Sequence, residues 1–209
     1  MVKLENILKG AVLIGALTIG QNAYADLSFK TCQKSWNRNT ALLQKAEKNM
    51  NKGFDVIHSK PDTAFNYLNK ADSAASTYGG DFESLYYKCN ETTTMSKSEA
   101  KRLDDVWDYI EERSTCGMKV TPFIKQVHKL DDAIDTYNSS IDKNYTRDTI
   151  QKDAISAHTI AESALKKLNT IVNYTHSCDA HGDIVDFVNG YKKNLKENES
   201  FFERMIEKL

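Results

Sequence analysis

The chain has 209 residues, with 28 lysines and arginines against 29 aspartates and glutamates. A net charge of −1, with both signs interspersed, leaves no basic footprint for nucleic acid or for an anionic lipid surface. Two prolines and no sustained apolar–polar alternation argue against a sheet-rich fold.

Residues 1–25 carry the marks of an export signal. Lys3 and Lys9 make the start weakly basic, although Glu5 is unusual there. The run AVLIGALTIG, residues 11–20, is too short to span a bilayer as a helix. Ala23 and Ala25 then supply the small residues a signal peptidase needs, which predicts cleavage before Asp26. An uncleaved anchor is the alternative. No cysteine stands at the cleavage point after the run, so nothing supports lipid attachment, and no later segment is apolar enough to be a membrane span. Losing Lys3, Glu5 and Lys9 takes the net charge to −2. Residues 26–209 read as a single α-helical domain, with 26–114 and 115–209 as its possible halves.

Helical periodicity fills this domain and predicts about six helices. The first carries Trp36, Leu42, Leu43, Ala46, Met50 and Phe54. The second starts near Pro61, whose fixed φ suits a first turn, and shows Phe65, Leu68, Ala71, Ala75, Tyr78, Phe82, Leu85 and Cys89. Gly79-Gly80 interrupts it and predicts a loosened or kinked helix. Ser96 and Glu99 form a capping-box pattern for the third, which shows Ala100, Leu103, Val106, Trp107 and Ile110. Thr121-Pro122 reads as cap plus first turn of the fourth, whose inner face is Phe123, Val127, Leu130, Ile134, Tyr137 and Ile141. The fifth starts near Thr146 and shows Ile150, Ala154, Ala157, Ala161, Leu165, Leu168 and Val172. The sixth starts near Asp183 and shows Ile184, Phe187, Tyr191, Leu195, Phe202 and Met205. Short polar connections between such rods predict antiparallel neighbours. The fold class is therefore all-α, an elongated antiparallel bundle.

All four cysteines follow the signal. An even count in an exported chain points to two disulfides, and four cysteines allow three pairings. In an antiparallel hairpin, the start of one rod lies beside the end of the next. Cys32 with Cys89, and Cys116 with Cys178, then meet at matching heights and staple two helical hairpins. Each bridge closes a loop of about 60 residues and contributes on the order of 4 kcal/mol in the chain-entropy model. A weak echo between NKADSAAS at 69–76 and HTIAESAL at 158–165 raises the question of a duplication.

The stretch HSCDAHGD, residues 176–183, has the look of a metal site in a chain of only five histidines. A disulfide at Cys178 removes the thiolate and leaves His176, Asp179, His181 and Asp183. Imidazole and oxygen ligands suit zinc, copper or nickel. The same residues also suit a helix junction, with Gly182 as a reversal and Asp183 as an N-cap. His128, Asp131, Asp132 and Asp135 share one helix face, which reads as a solvated acidic surface. His158 and Glu162 read as a hydrogen-bonded i, i+4 pair. No haem-attachment motif, nucleophile elbow, P-loop or dinucleotide fingerprint is present. Sequons occur at Asn90, Asn138, Asn144, Asn173 and Asn198.

Trp36 and Trp107 fall on apolar stripes and read as core. Tyr86 and Tyr87 lie on different faces of one helix, which leaves Tyr87 as a candidate partner contact. Adjacent Phe201 and Phe202 cannot both face one core, so Phe201 is the second such candidate. The pattern predicts an exported non-catalytic protein, periplasmic or extracellular, of binding, adaptor or inhibitor type, acting through protein–protein contacts. It implies no cofactor, an unidentified protein partner and no nucleic acid. The alternative is a metal- or small-ligand-binding bundle using His128, His158, His176 or His181; an unfamiliar enzyme is a distant third.

Overall fold

The computed structural model describes residues 23–89, 97–173 and 182–209. Five helices account for nearly all of them: α1 (Ala23–Val56), α2 (Pro61–Cys89), α3 (Lys97–Asp142), α4 (Arg147–Asn173) and α5 (Gly182–Lys208). There is no strand among the described residues, and no helix there is long and apolar enough to cross a membrane. Two of the helix starts follow directly from local chemistry. Pro61 occupies the first turn of α2, where its missing N–H costs nothing. Thr146 precedes α4, and its hydroxyl accepts from the Thr149 N–H at 3.4 Å, an N-cap. Ser96, half of the expected capping box, lies outside the described residues, whereas Glu99 falls in the first turn of α3.

The expected third and fourth helices are one continuous 46-residue helix, α3, with Pro122 inside it. A proline at this place leaves the carbonyl of residue 118 without its usual N–H partner. The Thr121 hydroxyl donates to that same Met118 carbonyl at 2.9 Å. A side chain thus satisfies the acceptor that the proline orphans, and the helix survives. Thr-Pro signals a helix start and a repaired helix interior with the same two letters. Cys116 accordingly sits within a helix rather than ahead of one, and it is buried.

The chain divides into two compact units. One takes the described residues up to Lys52 together with Tyr67–Ser114; the other takes Gly53–Asn66 and Thr115–Leu209. In the first unit, α1 and α2 run antiparallel. Following α1 forward, its partners run backward along α2. Cys32 is bridged to Cys89 with their α-carbons 5.7 Å apart. Trp36 packs edge-on against Phe82 with ring centres 5.6 Å apart. The Asn39 amide donates to the Tyr78 carbonyl at 3.5 Å. The Lys52 ammonium lies 5.6 Å from the centre of the Tyr67 ring. Buried positions recur at the three-and-four spacing of a single helix face: Trp36, Asn39, Leu43, Ala46 and Met50 on α1, and Leu68, Ala71, Ala75, Tyr78 and Phe82 on α2. Phe65 stands one residue off this stripe and is 41% exposed, against the expectation that it points inward; Ala64 is buried in its stead.

The glycine pair on α2 does not break the helix, which runs unbroken from Pro61 to Cys89. The two glycines have different reasons. A β-carbon on Gly79 would fall 2.3 Å from Cζ2 of the Trp107 indole, so α3 can seat Trp107 only against a residue without one. Gly80 meets nothing within 4 Å. The Ser76 hydroxyl, bonded to Glu111 at 3.1 Å, ties the same two helices at the surface.

In the second unit, α3 and α5 run parallel and α4 runs against both. Phe123 meets Tyr191 at 5.8 Å and Tyr137 meets Phe202 at 5.2 Å, both edge-on. Ser140 is hydrogen-bonded to Asp153 across the α3–α4 turn. Arg147 at the start of α4 donates to the Lys208 carbonyl at the end of α5, at 3.3 Å. Tyr137, Ala154, Ala157 and Phe202 form one cluster of the core, flanked by Ile134, Ile150 and Met205. The α1–α2 hairpin tip belongs to this unit too, and its Asp62 pairs with Lys125. Ile141, expected on the inner face, is 42% exposed, and its neighbour Ser140 is the buried residue there.

The two neighbouring glycines should respond in opposite directions. Gly79→Ala overpacks the Trp107 contact and should cost about 1–3 kcal/mol. Gly80→Ala, in open space on a helix, should stabilise by about 0.5–1 kcal/mol. Urea unfolding of both variants checks this; a stabilised Gly79→Ala would refute the packing role.

Candidate functional site

Two places in the structure carry features that packing alone does not explain. The first is on α5. Phe202 is 1% exposed and closes the core over Tyr137, as its position on the apolar stripe requires. Phe201, its neighbour, is 40% exposed. It is not loose: its ring lies edge-on to Phe202 at 5.1 Å and to Tyr137 at 6.3 Å. A large apolar ring is thereby held in a fixed place with much of its surface in solvent. Such geometry suits an anchor for a partner, since a preordered aromatic loses little rotamer entropy on binding.

The second place is the interior of the first unit. Trp36 Nε1, Asn39 Oδ1, Tyr78 OH, Trp107 Nε1 and Ser114 Oγ are all buried without a hydrogen-bonding partner among the described residues. Four of these residues belong to one aromatic cluster: Trp36 and Tyr78 both pack on Phe82, Tyr78 lies 6.4 Å from Trp107, and Asn39 bonds the Tyr78 backbone. Buried polar groups in folded proteins are nearly always satisfied, and each unsatisfied one costs about 1–3 kcal/mol. Two indole N–H groups, two hydroxyls and one amide oxygen are weighted toward donors. They could serve a ligand rich in acceptors. Burial, reinforced by the negative charge of Asp104, holds the Tyr78 phenol well above the usual tyrosine range. Tyr137 in the second unit also has an unpartnered buried hydroxyl, and its burial pushes that phenol up as well.

The histidine-rich stretch contributes less. His176, Asp179 and His181 lie outside the described residues. Asp183 lies within the first turn of α5, which begins one residue earlier than expected, and its side chain is outside the described set, as is that of Tyr87 on α2. Among the described residues, no group of three or more histidines, cysteines and acidic residues could hold a metal. Asp131, Asp132 and Asp135 are exposed, with His128 half-buried beside them. Partial burial raises the Asp131 carboxyl, His128 opposes this, and Asp135 and Asp132 add to it. This is a self-repelling acidic surface. His158 Nδ1 and Glu162 Oε2 are 3.9 Å apart, an ion-pair distance rather than the expected hydrogen bond.

Cys32 and Cys89 are paired as the helix heights predict, and no described cysteine is free. Cys116 is disulfide-bonded; Cys178 lies outside the described residues. The polar interior of the first unit was not expected from the sequence. Its legible traces are Asn39, a polar residue at an apolar-stripe position between Trp36 and Leu43, and Ser114, which continues the spacing of Trp107 and Ile110. No family model, no curated protein and no solved structure matches the chain.

The Tyr78 phenol makes stability depend on alkaline pH. Its folded pKa is raised, so the folded chain keeps a proton that the unfolded chain releases above the ordinary tyrosine value of about 10. That contribution is complete below pH of about 10 and is lost as pH rises further. Tyr78→Phe should leave stability at neutral pH equal or up to about 1–3 kcal/mol higher, since it deletes an unsatisfied group. It should also flatten the alkaline loss. Denaturant unfolding at neutral and at strongly alkaline pH checks both, and an unchanged alkaline slope would exclude Tyr78 as its source.

Proposed function

We propose that this chain is an exported, non-catalytic helical binding protein, of adaptor or inhibitor type, that acts through protein–protein contacts in the periplasm or outside the cell. On this reading, residues 1–25 are removed before Asp26, and the first residues of α1 lie within the discarded segment. The bridge between Cys32 and Cys89 supports an oxidising compartment, because structural disulfides are rare where thiols are kept reduced. A second bridge, Cys116–Cys178, belongs to the same reading: Cys116 is disulfide-bonded, and Cys178 is the cysteine left to pair with it. Two stapled hairpins would follow.

The observation that carries the binding role is Phe201, ordered by two ring contacts and yet 40% exposed. Phe201→Ala should weaken capture of the partner from the native envelope fraction and leave the unfolding midpoint close to that of the parent. A lowered midpoint with unchanged capture would reject the role, since Phe201 would then be packing alone.

The unpartnered polar atoms around Tyr78 favour a second reading, a small-ligand carrier. The ligand would be acceptor-rich, met by the Trp36 and Trp107 N–H groups. Native mass spectrometry of the protein purified from its own cells separates the two: a stoichiometric co-purifying small molecule favours the carrier.

A further inference from the structure

We infer that Asn144 is a glycan acceptor, the site at which an oligosaccharide is attached to this chain through an amide nitrogen. The inference goes beyond the binding role and rests on the export reading, because transfer takes place outside the cytosol. Asn144-Tyr145-Thr146 is a sequon between α3 and α4. Residues 141–148 are all exposed. Asn144 has φ 52°, in the left-handed region that asparagine tolerates better than most residues. The Tyr145 N–H bonds the Ser140 carbonyl at 3.0 Å and the Asn144 N–H bonds the Ile141 carbonyl at 3.0 Å. This pair of bonds is the Schellman ending of a helix, with Asn144 in the position usually given to glycine. The chain therefore reverses at Asn144, and the residue stands on a turn rather than on a rod.

The other described sequons differ in this respect. Asn138 lies within α3 and Asn198 within α5. On a helix, residues two apart point about 200° away from each other, so the asparagine and its partner hydroxyl do not share a face. At Asn138 that hydroxyl is Ser140, which is 3% exposed and bonded to Asp153. A further feature singles out Asn144. Asp142 places a carboxylate two residues before it, which completes the longer D/E-x-N-x-S/T pattern that bacterial oligosaccharyltransferases read. The four other sequons have Lys88, Thr136, Ile171 and Lys196 at that place. Asn144 thus satisfies both the short and the long recognition pattern.

Transfer forms a bond from Asn144 Nδ2 to the anomeric carbon of an oligosaccharide carried on polyprenyl pyrophosphate. The bond between that carbon and the phosphate oxygen breaks, polyprenyl pyrophosphate leaves with the electron pair, and the amide proton passes to a base of the transferase. Nothing is oxidised or reduced. A helix-stop role alone also explains an asparagine here, and two variants separate the roles. Asn144→Gly keeps the left-handed turn and removes the amide; Thr146→Ala keeps the amide and removes the hydroxyl that the transferase reads.

The test expresses the full chain, signal included, in a bacterial host carrying an oligosaccharyltransferase and its lipid-linked glycan. Peptide mass spectrometry reads both the mature N-terminus and the glycan. The expected result is a chain starting at Asp26 with the glycan mass on Asn144, lost in Asn144→Gly and in Thr146→Ala. The unglycosylated Asn144→Gly protein should keep the parent's unfolding midpoint. A chain starting at Asp26 with bare Asn144, or with glycan only on other asparagines, overturns the site and leaves export standing. A chain that retains residues 1–25 overturns both.

Discussion

The covalent bond between Cys32 and Cys89 sets the register on which the first unit depends. It joins the beginning of one rod to the end of the next across a separation of 57 residues. A bridge of that span contributes on the order of 4 kcal/mol by restricting the unfolded chain. Once those ends are joined, α1 can slide along α2 by very little. Trp36 then meets Phe82, and Asn39 meets the Tyr78 backbone, because each lies an integral number of turns from the bridge. The alanines at 46, 71 and 75 let the rods come close, while the aromatics fill the space nearer the bridge.

Constraint at one end explains how the unit tolerates an interior that is not purely apolar. Five unpartnered polar atoms would together weigh heavily against a small three-helix unit if each carried its full cost. Alanine or leucine at several of these positions would pack without that burden. A sequence under selection for stability alone has no reason to keep two indoles, a phenol, an amide and a hydroxyl facing inward. Gly79 adds to the case, because it gives up helix propensity to let the Trp107 indole lie against α2. The second unit is built differently. Among its described residues one buried hydroxyl, on Tyr137, lacks a partner, and the Ser140–Asp153 and Arg147–Lys208 contacts lie at the ends of rods.

Much of this was legible from residue spacing. The all-helical class, the start of α2 at Pro61, the start of α4 near Thr146 and the Cys32–Cys89 pairing all follow from periodicity and local chemistry. The errors arose where one local signal has two physical meanings. Thr-Pro starts a helix when the threonine oxygen accepts a hydrogen bond; at Thr121 the hydroxyl donates to a stranded carbonyl and the helix continues. Gly-Gly weakens a helix by entropy, but it also makes room for an indole that lies far away in sequence. Phe65 and Ile141 fit the apolar period yet lie exposed, because the adjacent residues Ala64 and Ser140 take the buried place and spacing alone does not say which of two neighbouring lines faces the partner helix. The polar interior could not be read at all from local pattern. It depends on which side chains from three helices meet, and only Asn39 and Ser114 broke a stripe.

The contrast between the two aromatic groups bears on what the protein does. Around Tyr78 the rings are buried, and their polar atoms are what remains unanswered. At the end of α5 the reverse holds: Phe202 is buried, and what remains unanswered is apolar surface on Phe201. A hydrophobic ring in water and a polar atom in a dry core are both unfavourable, and a bound molecule could relieve either one. The partners they call for are opposite in character, however. An exposed phenylalanine held by its neighbours calls for an apolar recess on a macromolecule. Buried indole N–H groups call for acceptor atoms small enough to enter a helical core. Phe201 is already at the surface and requires no opening of the fold to act, whereas the atoms around Tyr78 can be reached only if the first unit opens or folds around its ligand. That difference in access makes the α5 face the more readily reached of the two.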